Sequence, residues 1–146
     1  MTRLALPFAV AGLLAMPAAA SAADITGIWA TGTEGGRVEI YRCGKALCGR
    51  VVDASRLRAN PDLRDVRNSD ARLRQRRIKG LVVLNGFAGG PVEWKGGPVY
   101  DPETGDGAGR GYLKLLANGK LELKGCVALF CRTKIWTRAG GRASVD

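Results

Sequence analysis

Histidine is absent from all 146 residues. Its absence excludes His-dependent catalytic triads and His-containing zinc sites, since imidazole is the commonest general base and metal ligand. Carboxylates are scarce as well: 13 Asp plus Glu stand against 23 Lys plus Arg, for a net charge of +10. The acids that exist lie mostly in turn-like or basic stretches. Beyond residue 22 serine is limited to Ser55, Ser69 and Ser144, none with a lysine beside it, so no Ser–Lys nucleophile is indicated. No glycine-rich phosphate loop follows a strand and opens a helix, because Gly35-Gly36 and Gly89-Gly90 fall in turns. Internal repeats and low-complexity tracts are also missing. These absences argue against an enzyme and call for no cofactor and no bound metal.

Long apolar runs are lacking too, with one informative exception. Leu4 to Met16 is continuously apolar or small, follows Arg3, and ends at Pro17. It is too short for a transmembrane helix, which needs about 20 residues. Ala20-Ser21-Ala22 then satisfies the small-x-small rule of signal peptidase, and Ala23-Asp24 follow where a lipoprotein would carry Cys. Residues 1–22 are therefore expected to be a cleaved signal peptide. Residues 23–146 are expected to form a single exported domain, monomeric, in the periplasm or outside the cell.

Export decides how the four cysteines are read. Cys43–Cys48 and Cys126–Cys131 have identical spacing. In an oxidising compartment thiols pair, and the symmetry favours the two local disulfides. Crossed pairs, an all-cysteine zinc site and free thiols are the alternatives. Neither spacing is Cys-x-x-Cys, so catalytic redox chemistry is not expected.

A hydrophobic content of 46% suits a packed core, while 21 glycines suit short strands and many turns. Alternating runs recur near Thr26–Thr31, Arg37–Cys43, Leu47–Asp53, Gly80–Phe87, Val92–Lys95, Pro98–Asp101, Gly111–Leu116, Lys120–Cys126 and Arg132–Arg138. They predict an all-β domain, a small antiparallel barrel of eight or nine strands, because closure removes aggregation-prone edges. A three-residue loop Ala117-Asn118-Gly119, with Gly119 left-handed, sets Leu115 against Leu121 and Leu113 against Leu123. Lys114 then faces Glu122 as a cross-strand ion pair. Cys43 opposite Cys48 places Ile40 against Val51. Cys126 opposite Cys131 puts Lys134 against Leu123, so either that register is wrong or the interior is partly polar.

One stretch interrupts the strands. Arg56 to Lys79 holds nine basic and three acidic residues and reads as one long basic loop. Asn60-Pro61-Asp62 looks like a capped helix start, and Ser69-Asp70 like the start of a second turn that returns Leu73 and Ile78 to the barrel. Within it, Asp65, Asn68 and Asp70 read as caps and partners for the surrounding arginines. Asp101-Pro102-Glu103-Thr104-Gly105 reads as a tight turn rather than a calcium loop.

Gly27-Ile28-Trp29 opens the first strand and Trp136-Thr137-Arg138 closes the last. First and last strands are neighbours in a closed barrel, so Arg138 can stack on Trp29, an arrangement that looks like the floor of lipocalin and calycin barrels. Further stretches carry a wider likeness. They are Val38-Glu39-Ile40-Tyr41 with Cys43-Gly44 and Leu47-Cys48-Gly49, then Asn68-Ser69-Asp70 leading to Leu73-Arg74. Gly80-Leu81, Gly96-Gly97 and Tyr100-Asp101-Pro102-Glu103-Thr104-Gly105 complete the set. With these, the chain over residues 27–138 resembles the exported bacterial family called domain of unknown function 2147 (DUF2147). Ser69 departs from the Pro common there. The resemblance implies a lipocalin-like barrel and supplies no catalytic residues.

The function expected from these observations is non-enzymatic binding of a small apolar or amphipathic ligand at a barrel mouth. Trp29, Arg74, Trp94, Tyr100, Tyr112 and Arg138 are the candidate ligand-binding residues. The alternative is a cell-envelope module. In that reading Arg72, Arg74, Arg76 and Arg77 of the basic loop engage anionic lipid, lipopolysaccharide or a protein partner. Nucleic acid suits the charge but not the compartment.

Overall fold

A computed structural model describes residues 24–140 together with the isolated positions Gly12 and Met16. The expected signal peptide at 1–22 therefore lies, but for those two positions, outside the described residues. Ten strands follow one another: β1 (Gly27–Ala30), β2 (Arg37–Cys43), β3 (Ala46–Asp53), β4 (Val82–Gly89), β5 (Glu93–Gly96), β6 (Val99–Asp101), β7 (Asp106–Ala108), β8 (Arg110–Leu115), β9 (Leu121–Val127) and β10 (Phe130–Arg138). Eight of them close into an antiparallel barrel. The order runs β3-β2-β1-β10-β9-β8-β5-β4, and β3 pairs with β4 to complete the ring. The short β6–β7 hairpin is attached to β4.

The alternation of each strand sends one face inward. Trp29, Ile40, Leu84, Phe87, Leu113 and Leu121 are almost fully buried there. Leu47 of β3, Trp94 of β5 and Trp136 of β10 join them, so all eight barrel strands contribute to one core.

Register follows local turn chemistry. Between β8 and β9, Gly119 sits at φ +79°, and Leu115 pairs with Leu121, Leu113 with Leu123, and Lys114 with Glu122. The ion pair of Lys114, however, is with Glu93 across the β5 side, 3.2 Å away. The β2–β3 hairpin corrects the sequence reading. Its two-residue turn Gly44-Lys45 pairs Cys43 with Ala46, so Ile40 lies opposite Gly49 and Val38 opposite Val51. The Cys43–Cys48 disulfide spans the ladder diagonally rather than straight across. Cys126–Cys131 bridges directly opposed residues.

That second register does set Lys134 opposite Leu123. Lys134 shares the face of Leu123 but stays exposed, at the barrel end that the β6–β7 hairpin plugs. A Cβ added to Gly111 would fall 2.5 Å from Val99 Cγ2, and one on Gly125 would fall 3.2 Å from the Ala108 side chain. Two strand positions are thus emptied of side chain so that the hairpin can enter. Asp101 of β6 then meets Lys134 at 2.6 Å, and Asp106 of β7 meets Arg132 at 3.5 Å.

The basic segment is ordered, and its helix lies before Asn60 rather than after it. The helix α1 (Ser55–Ala59) buries Leu57, and Asn60 closes its C-terminus. Pro61 biases Asn60 towards extended backbone (φ −144°), which ends a helix instead of starting one. Beyond it the chain folds back on itself: Asp65 N–H donates to the Arg76 carbonyl and Ile78 N–H to the Leu63 carbonyl. A 3-10 turn at Ala71–Leu73 is capped by Asp70, whose carboxylate accepts from Arg72 N–H. Ile78 returns to the core as expected, whereas Leu73 stays 40% exposed.

Candidate functional site

The two ends of the barrel differ. One carries the basic segment, the β6–β7 plug and the turn between β9 and β10. The other carries the short turns at 44–45, 90–92 and 117–119, together with the Asp24–Thr26 segment that leads into β1. At this second end lies an open cavity of about 300 Å³.

Its apolar wall is made by Ile25, Leu47, Phe87 and Trp94, and its rim by Gly89, Gly90 and Pro91. All four wall side chains belong to the buried core and are at most 8% exposed, so the cavity is an open recess whose floor is the edge of the core. Asp24, Arg42 and Lys45 supply its polar edge. Arg42 and Lys45 flank Cys43 at the disulfide-closed turn, and neither forms an ion pair among the described residues. The backbone and side chain of Thr26 hydrogen-bond to the Asp24 carboxyl and hold it below its usual value, helped by the charges of Arg42 and Arg138. Near neutral pH the mouth therefore presents two cations and one carboxylate above an apolar floor.

Trp29 and Arg138 do not line this site; they stand behind the Asp24–Thr26 segment that does. Arg138 stacks on the Trp29 ring at 4.3 Å, in the pairing register Trp29↔Arg138. Its guanidinium also donates to the carbonyls of Thr26 (2.6 Å) and Asp24 (2.9 Å). Trp29 Nε1 donates to the Ile25 carbonyl at 2.9 Å. The pair thereby fixes the Asp24–Thr26 segment, whose Asp24 and Ile25 reach the cavity.

Of the other sequence candidates, Trp94 lines the cavity, while Tyr100, Tyr112 and Arg74 lie elsewhere. Tyr112 carries Lys124 over its ring at 5.0 Å. Arg74 donates through Nε to the Asn68 carbonyl. Tyr100 donates its hydroxyl at 2.5 Å to Asp65, a fully buried carboxylate that also accepts from Arg76 Nε (2.8 Å) and Asn68 Nδ2 (2.9 Å). Burial and the Asp65 contact push the Tyr100 phenol up to about 12. This hub fastens the basic segment to the plug.

Six of the nine cations of the basic segment are held in ion pairs, which leaves the segment and its partners at +4. Arg72 pairs with Asp70, Arg76 with Asp65, Arg77 with Asp62 and Arg58 with Asp53, and Arg56 and Arg67 converge on Glu103. Sequence reasoning missed Ile25, Arg42, Lys45, Leu47 and Phe87 as cavity residues. The available signal was the pair of cations bracketing a disulfide-closed turn. What joins them to Trp94 is tertiary, the β3–β4 pairing of Leu47 with Phe87.

Both cysteine pairs are disulfides and no free thiol is found among the described residues, so a cysteine nucleophile is not available there. Such bonds fit an oxidising, exported environment.

A family model described as "Uncharacterized protein conserved in bacteria (DUF2147)" matches residues 27–138. Among solved structures, protein HP1028 from the human pathogen Helicobacter pylori, described as belonging to the lipocalin family, is similar. It has 21% sequence identity and a TM-score of 0.68, over 81% of this chain and 84% of that chain. No curated protein matches.

Proposed function

The chain belongs to the bacterial DUF2147 family and folds as a lipocalin-like barrel, and from that premise we propose that it binds a small amphipathic ligand without enzymatic turnover. The observation that carries this reading is the cavity of about 300 Å³ with apolar walls and the cations Arg42 and Lys45 at its mouth. A volume of that size is at the low end for small-molecule sites, which are mostly apolar with a few placed polar groups. The ligand that fits this chemistry has a short apolar body and an anionic end. Trp94 and Phe87 bury the body, and Arg42 and Lys45 answer the charge through charge-assisted hydrogen bonds. The same reading has residues 1–22 removed on export and the mature protein acting in the periplasm or outside the cell.

The Arg-rich segment supports an anionic-surface function less well, because most of its cations are already paired within the fold. Native mass spectrometry of protein isolated from the exported fraction of its own cells tests the proposal. A co-purifying small acid, lost on Trp94→Ala, is the expected result. A bare protein that also fails to take up decanoate or dodecanoate would contradict it.

A further inference from the structure

The β9–β10 hairpin runs to a tip of Val127-Ala128-Leu129-Phe130, where Ala128 takes a left-handed turn at φ +52°. Val127, Leu129 and Phe130 are 57%, 95% and 85% exposed. The other exposed large apolar residues between 24 and 140, such as Val66, Val82, Val92 and Ile135, are separated from one another in the sequence. Scattered apolar residues on a surface are ordinary, whereas three within four consecutive positions form a patch that marks an interaction site. Cys126–Cys131 closes the ribbon directly beneath the tip and holds it in shape. Ordering that tip on contact therefore costs little further conformational freedom.

The surroundings of the tip are cationic. Arg110 pairs in register with Cys126, is exposed, and forms no ion pair among the described residues. Arg132 follows Cys131, and its contact with Asp106 is a 3.5 Å pair with both side chains largely in water. Lys124 lies one turn of the ladder below. Among the described residues, Asp106 is the carboxylate that pairs with this collar.

We propose that this tip is a membrane-docking loop that enters the interface of an anionic phospholipid bilayer, with Leu129 and Phe130 among the acyl chains and Arg110 and Arg132 at the phosphates. Shape separates a bilayer from a protein partner. A stable protein contact covers about 800 Å² per partner, more than a four-residue convex tip offers. A bilayer interface takes a short apolar projection with basic residues behind it, and anionic lipid adds attraction for each cation near the surface.

Vesicle flotation tests this, using phosphatidylcholine alone and phosphatidylcholine mixed with phosphatidylglycerol. All variants carry the same N-terminus, so any contribution of residues 1–23 cancels. The wild type is expected to float with the anionic vesicles at low salt. The double variant Leu129→Ser with Phe130→Ser should lower that binding at least about tenfold, because both side chains lose their transfer into an apolar phase. Arg110→Gln with Arg132→Gln should reduce binding to anionic vesicles only. The melting temperature reports that these exposed positions leave the fold intact. In a Leu129→Trp variant the added indole emission should be quenched by bromine-labelled acyl chains. Wild-type protein that does not float, equal flotation after the apolar double variant, or an unquenched indole would each overturn the proposal. So would capture of a soluble protein by the tip in place of vesicles.

Discussion

Arg138 lies over Trp29 at 4.3 Å while its guanidinium donates to the carbonyls of Asp24 and Thr26. One side chain thus joins the last strand, the first strand and the segment ahead of it. The two partners contribute unequally, because Trp29 is fully buried and Arg138 is exposed. Trp29→Ala is expected to cost about 3–5 kcal/mol through loss of a large core side chain. Arg138→Ala should cost about 1 kcal/mol, because the stacking it removes is at an exposed site. Urea unfolding measures both, and equal losses would mean that the stack is not the closure of the barrel.

The Tyr100 phenol should titrate late. Burial and its contact with Asp65 favour the neutral form and raise its value from the usual 10 to about 12. The folded protein then holds a proton that the unfolded chain releases, so the stabilisation is complete below pH 10 and is lost as pH rises through about 12. Absorbance titration near 295 nm should show one late phenol that disappears in Tyr100→Phe. A phenol lost in Tyr100→Phe that ionises near the usual 10 would contradict the buried Asp65 hub.

Each disulfide closes a short loop, with a sequence separation of 5. Loop-closure entropy alone assigns each about 2 kcal/mol. Cys43→Ser with Cys48→Ser, and separately Cys126→Ser with Cys131→Ser, should each lower stability by about that amount and leave a folded barrel. The first pair also holds the turn that carries Arg42 and Lys45, so its loss should weaken ligand uptake, whereas loss of the second should not. Equal effects on uptake would remove that distinction.

Much of the fold was legible because alternation and turn chemistry agree locally. Leu113, Leu115, Leu121 and Leu123 with Gly119 define the β8–β9 register, and the Trp29–Arg138 stack follows from first-to-last closure. Lys134 opposite Leu123 was readable as a conflict, and only the β6–β7 plug resolves it, since Asp101 is brought there by tertiary structure. Asn60 misled because a side chain that caps a helix start also ends one before Pro61. The cavity was the least legible feature. Trp94 was found as an aromatic in a strand, but Ile25, Leu47 and Phe87 read only as core positions. Their meeting beneath one opening depends on how the strand ends and Gly89-Gly90-Pro91 are arranged in space.

The central claim is that Arg42 and Lys45 hold the anionic end of a ligand whose body lies against Trp94 and Phe87. The direct measurement is isothermal titration of dodecanoate and of uncharged dodecanol into wild type and into Arg42→Gln with Lys45→Gln. The account expects the acid to bind the wild type more tightly than the alcohol. It expects the double variant to lose about 10- to 100-fold for the acid, the worth of one charge-assisted contact, with little change for the alcohol. Equal affinity of wild type and variant for the acid, or no binding of either probe, would contradict it.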